Sequence, residues 1–151
     1  MNGELTEQQI NNILCSQTFG RLACCKGKHP YIVPVTYFYD GKFIYGKSSE
    51  GKKIDLMRDN PNVCFQVDFS RDMYNWESAV IYGLFEELKG EDAVKAKHIL
   101  SEKLMPLLSG VSIHAHEHDE GEGHELIDET SKRGIYFRIK IAEKSGRFQR
   151  I

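Results

Sequence analysis

The sequence contains no apolar run approaching the roughly 20 residues that a helix needs to cross a bilayer. Its N-terminus, MNGELTEQQI, lacks the basic-then-apolar pattern of a secretory signal. An excess of one charge sign is missing as well. Twenty Lys and Arg stand against twenty-two Asp and Glu, a formal net charge of -2, which removes any general pull toward nucleic acid or anionic membrane. Cysteine occurs four times (Cys15, Cys24, Cys25, Cys64) and never as C-x-x-C. A disulfide framework and a cysteine metal site are therefore disfavoured, and buried reduced thiols in a cytoplasmic protein are expected. Local Ser/His/Asp or Cys/His nucleophile arrangements, internal repeats and domain linkers are also absent. What is present is the composition of an ordinary globular protein, 40% hydrophobic and 28% charged over 151 residues. That suits a single domain, 1–151, with a proper core.

One stretch stands out. Residues 46 to 61, GKSSEGKKIDLMRDNP, place a Ser/Gly turn and two lysines between an apolar strand-like run and a short amphipathic helix. Ile54 and Met57, with Leu56 alongside, follow helical spacing, and Asn60-Pro61 ends the run. A helix start exposes unpaired N–H groups and partial positive charge, so cations are normally unfavourable there. An anion would relieve the conflict, and phosphate suits the site. The alternative is a solvated turn bearing two surface lysines.

Elsewhere the pattern is mostly β. Thr6 caps a predicted helix through about Gln17 with Ile10, Ile13 and Leu14 on one face. Strand-like runs follow: FGRLACCK, HPYIVPVTYFYD, GKFIYGKS, then, after the helix at 51–59, NVCFQVDF and WESAVIYGLFEELK, with IYFRIKIAEKSGRF last. Asp40-Gly41 between two such runs predicts a hairpin with a type I′ turn. Pro34 predicts an edge or bulge within its strand. Residues 91–108 predict a second helix, with Pro106 marking or bending its end. Strands joined by hairpins, with few helices, argue for a closed or nearly closed antiparallel barrel. Tyr37, Tyr45 and Tyr82 read as packing residues.

Residues 110–125, GVSIHAHEHDEGEGHE, hold four of the six histidines. An extended backbone would place His114, His116 and His118 on one side, which is weak candidate metal-ligand chemistry. The flanking acidic, Gly-interrupted run reads instead as a surface loop within the domain.

The ordered series GRLAC, HPYIVPVTYFYDGKFIYGKSSEGKKIDLMRDNPNVCFQVD and WESAVIYGLFEEL resembles the FMN-binding split-barrel family that includes the pyridoxamine 5′-phosphate oxidases. Within that family it is similar to the branch of nitroimidazole-resistance flavoproteins. The resemblance covers roughly residues 5 to 105 and the final strand. It implies a six-stranded antiparallel Greek-key split barrel with flanking helices, forming a homodimer with FMN in the groove between protomers. Carried over onto this chain, the phosphate-gripping pair falls on Lys52 and Lys53, with Gly51 allowing close backbone approach. The strand along the flavin ring falls on Val33, Pro34, Val35 and Thr36, and the flavin-facing end of the next strand on Gly46, Lys47 and Ser48. Ser78 takes the place of a polar residue near the flavin, and Trp76 lies within reach of the ring.

Two departures limit the transfer. The nitroimidazole-resistance branch typically has a histidine where this chain has Gly46 and Lys47. The Arg/His signature for the vitamin B6 substrate is not matched by Arg147 and Arg150, so no pyridoxamine-phosphate oxidase activity is expected. The implied function is that of an FMN-dependent oxidoreductase acting on a small organic molecule, a nitro compound among the options. A non-catalytic flavin- or haem-binding protein of the same fold is the alternative. A pure dimeric interaction module with a decayed site is a third reading, against which Lys52-Lys53 argues.

Overall fold

The computed structural model of the chain describes residues 1–107 and 134–151. Its elements in order are β1 (Asn2–Glu4), α1 (Glu7–Ser16), β2 (Phe19–Lys26), β3 (His29–Thr36), β4 (Phe38–Tyr39), β5 (Phe43–Ser48), α2 (Lys52–Asp59), β6 (Asn62–Ser70), β7 (Trp76–Glu87), α3 (Glu91–Ile99) and β8 (Ile135–Gln149). One antiparallel sheet runs β3-β2-β6-β7-β8-β5-β4, with β1 added on β8. The six-strand expectation becomes eight strands for two reasons. The run HPYIVPVTYFYD bends at Tyr37, so its first part pairs with β2 while Phe38 and Tyr39 pair with β5 at the other end of the ladder. That one bent segment thereby links both ends of the sheet and curls it. The remaining extra strand is the three-residue β1.

Alternation within the strands decides what is inside. Leu22, Ile44, Phe65, Val67, Ile81, Phe137 and Ile139 turn inward, where Ile54 and Met57 of α2 and Ile10, Ile13 and Leu14 of α1 close the core. A second cluster lies under α3 and joins Ala96, Leu100 and Leu104 to Tyr45, Leu88 and Tyr136. The helix expected over 91–108 is not uniform across its described residues, 91–107. A π-helical turn spans Leu100–Leu104, and helix resumes through 107. The wider turn keeps Leu100 and Leu104 on the same cluster.

Local chemistry sets the boundaries. Thr6 and Gln9 form a reciprocal capping box on α1. The β2–β3 hairpin has Gly27 at φ 59 as the only left-handed residue of its two-residue turn, which is the II′ arrangement. The Asp40-Gly41 hairpin forms, but not as a type I′ turn: only Gly41 (φ 98) is left-handed. Asp40 instead accepts from the backbone N–H groups of Lys42 (2.8 Å) and Phe43 (2.7 Å), and this side-chain bonding holds the Gly41-Lys42 turn.

Tyr37 is buried and donates its hydroxyl to the Leu14 carbonyl at 2.8 Å, satisfying an orphan acceptor at the end of α1. Burial, with Cys15 a smaller cause, holds this phenol above its usual pKa range. Tyr37→Phe leaves that carbonyl without its donor, and the expected loss is about 1–3 kcal/mol in urea unfolding with an unchanged m-value. The three-tyrosine packing expectation holds for Tyr37 and Tyr45. Tyr82 is 51% exposed, because its position in β7 faces outward. Of the four thiols expected to be buried only Cys24 is; Cys25 and Cys64 are half-buried, Cys15 is exposed on the outer side of α1, and all four are free. No described helix is long and apolar enough to cross a membrane.

Candidate anion and edge-strand site

The lysine pair sits where a helix begins. Gly51 is the N-cap residue of α2 in extended conformation, and no side chain caps this helix, in contrast to the capping box of α1. Its first turn therefore presents bare N–H groups beside Lys52 and Lys53. Lys52 is exposed and Lys53 half-buried. The Lys52 Nζ lies 4.7 Å from the centre of the Tyr31 ring in β3. It also lies close enough to Cys24 to pull against the burial and the Cys25 charge that push that thiol's pKa up. The helix start is thus tied to β3, a contact that no local pattern in the sequence indicates.

β3 ends the ladder, and its bonding parity is legible. The Tyr37 N–H donates to the Thr18 carbonyl at 3.0 Å, continuing the β2–β3 register in which Val33 faces Leu22 and Val35 faces Gly20. Odd-numbered residues of β3 therefore bond to β2. Even-numbered ones turn their backbone groups to the edge that no other described strand pairs. Pro30 and Pro34 fall on the even positions, where a missing N–H costs no ladder bond. Ile32 and Thr36 present N–H and C=O groups outward, while Tyr31 and Val35 pack on the barrel core. That edge, with outward N–H donors only at Ile32 and Thr36 and outward carbonyls at all four even positions, lies beside an uncapped, basic helix start. β5 approaches β3 on the other side of this opening.

The remaining predicted residues divide between this opening and other faces. Gly46 leaves room for the Phe137 ring, which an added Cβ would meet at 2.5 Å. Ser48 is buried and donates to the Ser49 carbonyl at 2.9 Å. Lys47 points the opposite way, with Nζ 5.6 Å from the centre of the Tyr136 ring, and desolvation followed by the neighbouring Lys97 lowers its pKa. Ser78 and Trp76 lie on β7, separated from β3 by β2 and β6, about 14 Å at roughly 4.8 Å per strand. Within one chain they do not join the β3 edge. Ser78 Oγ accepts from Gln66 Nε2 at 2.9 Å, and Asp68 beside them pairs with Arg21 at 3.0 Å, a polar strip on the outward face of the sheet. Trp76 begins β7 opposite Ser70 and Gln149. Arg150 reaches Glu77 at 3.5 Å and stacks on Phe148, a structural use of that C-terminal arginine. His114, His116 and His118 lie outside the described residues. Among the described residues no three side chains are grouped to hold a metal ion.

Sequence reasoning missed Tyr31 and a second group altogether. Arg58, in the last turn of α2, makes paired bonds to Glu50 (2.9 and 2.9 Å) and to Glu87 (3.0 and 2.7 Å). Donating to Glu87 first, then to Glu50, raises the guanidinium's pKa, and Arg58 in turn lowers that of Glu87. A lone arginine in a helix carries no local signal of two partners, one of them on β7.

Against known proteins, the family model described as pyridoxamine 5′-phosphate oxidase matches residues 6–148. The chain belongs to the pyridoxamine 5′-phosphate oxidase family. A solved FAD-binding protein from Mesorhizobium loti is 32% identical, with 99% of each chain covered and a TM-score of 0.74. A proposed 5-nitroimidazole antibiotic resistance protein from Bacteroides thetaiotaomicron shares the fold at 19% identity and TM-score 0.72, over 98% of this chain and 87% of that one. An uncharacterised protein of Rhizobium meliloti (strain 1021) is 37% identical over 84 residues, 56% of each protein. The chain thus spans about half the length of that curated relative. In this oxidase family member, the fold agrees with the split barrel expected from the resemblance.

Proposed function

We propose that this chain is an FMN-binding flavoprotein that acts as an FMN-dependent oxidoreductase on a small organic molecule. One observation carries the reading: Lys52 bridges the uncapped start of α2 to Tyr31 on the free-edge strand. A flavin ring offers an N–H donor beside carbonyl acceptors, which the outward N–H and C=O of Ile32 complement, and FMN ends in a phosphate that suits the lysine pair. Ile32 and Thr36 would orient the ring through backbone groups, and Lys52 and Lys53 would hold the phosphate. A bound flavin supplies hydride and single-electron chemistry; the chain supplies anchorage and access.

Purified protein should be yellow, with flavin absorbance bands, and the cofactor released on denaturation should have the mass of FMN. The name of the Mesorhizobium loti relative favours FAD as a second reading, and the released mass separates the two. A colourless protein that takes up neither flavin overturns the reading, and a Soret band supports haem instead. For turnover, anaerobically reduced protein should be reoxidised by a small nitroaromatic compound faster than free reduced FMN is.

The dimer belongs to the same proposal. The outward face of β3 and β7 exposes Ile32 (63%), Tyr82 (51%) and Leu84 (41%), an apolar patch of the kind that an interface covers. A second copy is also the route by which Ser78 and Trp76 would reach a flavin on the β3 edge. Ile32→Asp is expected to give a monomer in sedimentation equilibrium, with weakened flavin binding. A wild-type monomer carrying flavin at full occupancy rules the dimeric site out.

A further inference from the structure

α2 begins without a side-chain cap although an acid, Glu50, immediately precedes its N-cap residue Gly51. A carboxylate there is the natural internal competitor for bare N–H groups and a positive helix end. It is not at the helix start. Both oxygens of Glu50 are held by Arg58 at 2.9 Å, at the far end of the same eight-residue helix. Arg58 is itself immobilised by Glu87 at the end of β7, through bonds of 3.0 and 2.7 Å. Three elements thus meet on one guanidinium, and its two bidentate contacts set where Glu50 lies as well as neutralising it.

We infer that Arg58 is a positioning residue that diverts Glu50 from the start of α2 and so keeps that helix end open for the phosphate of an external ligand. This rests on the proposed flavin site. It adds a residue that touches no ligand and acts only through Glu50. Without Arg58, Glu50 is free to fold back over Gly51 and to occupy, or repel a phosphate from, the N–H groups beside Lys52 and Lys53.

The test is a double-mutant cycle read with two ligands, FMN and riboflavin, by fluorescence titration. R58M is expected to lower FMN affinity about tenfold, through internal competition and charge repulsion at the helix end, and to leave riboflavin affinity within about twofold because riboflavin has no phosphate. E50Q alone should hold FMN affinity at wild-type level or raise it. The E50Q/R58M double variant should regain most of what R58M loses. A purely structural arginine would weaken both ligands together and would not be rescued by neutralising its own partner. Should R58M not fold, R58Q carries the same comparison.

Unchanged FMN affinity in the arginine variant overturns the inference, as does a loss that E50Q fails to rescue or an equal loss for riboflavin. If wild type binds FMN no better than riboflavin, the phosphate site itself is wrong and the inference falls with it. A wild-type preference for FMN that survives in R58M instead leaves the site standing and removes only the role of Arg58.

Discussion

Replacing Lys52 and Lys53 together by alanine is expected to lower FMN affinity by two to four orders of magnitude while riboflavin binds both proteins equally. In the proposed site each ammonium would make a charge-assisted contact of about 1.5–3 kcal/mol with the phosphate, and about 1.4 kcal/mol corresponds to one decade of affinity. The empty protein should barely notice. Relieving two cations at a helix start is favourable by some tenths of a kcal/mol. Against that stands the loss of Lys52 from the face of Tyr31, 4.7 Å away, worth about 0.5–1 kcal/mol at an exposed site. These cancel to near zero, so the thermal midpoint of the apo protein should move by no more than a few degrees. Titration with both flavins and a melt of the apo protein check the two halves. Wild-type FMN affinity in the double variant would return Lys52 and Lys53 to the status of a solvated turn and would move the cofactor elsewhere.

Phe65→Ala should be the most damaging single change to the fold. Phe65 is fully buried on β6. Its ring meets Tyr37 edge-on with centroids 4.9 Å apart and fills the space over Gly20, where an added Cβ would lie 2.4 Å from it. Nothing flexible stands ready to fill the void, because its neighbours Leu22, Val67 and Ile81 are fully buried as well. The expected loss is about 3–5 kcal/mol, which for a chain of this size lowers the melting temperature by roughly 6–20 °C. Phe65→Leu, which keeps most of the volume, should lose much less. Chemical denaturation measures both, and a loss below about 1.5 kcal/mol in the alanine variant would contradict the close packing described for this layer.

The alternation Val63, Phe65, Val67 and the helical spacing of Ile10, Ile13 and Leu14 were legible in the chain because core-facing periodicity is a local property. So was the helix at Lys52, for the same reason. The Asp40 loop was legible as a hairpin but not as a turn type, since both D-G turn types share one dipeptide and the carboxylate's bonds to Lys42 and Phe43 decide between them. The split of HPYIVPVTYFYD at Tyr37 was hidden because a strand that changes partners keeps its alternation.

By itself, then, the sequence determined a β-rich barrel with short helices and a helix that starts on a lysine pair, all of it carried by spacing over a few residues. Tertiary structure alone decided that Lys52 stacks on Tyr31, that Lys47 turns away toward Tyr136, that Ser78 stands two strands removed from β3, and that Arg58 holds Glu50 and Glu87. Each of those facts depends on which strands become neighbours and in what register. That choice is made by burying the whole set of apolar faces at once, and no short stretch of chain contains it.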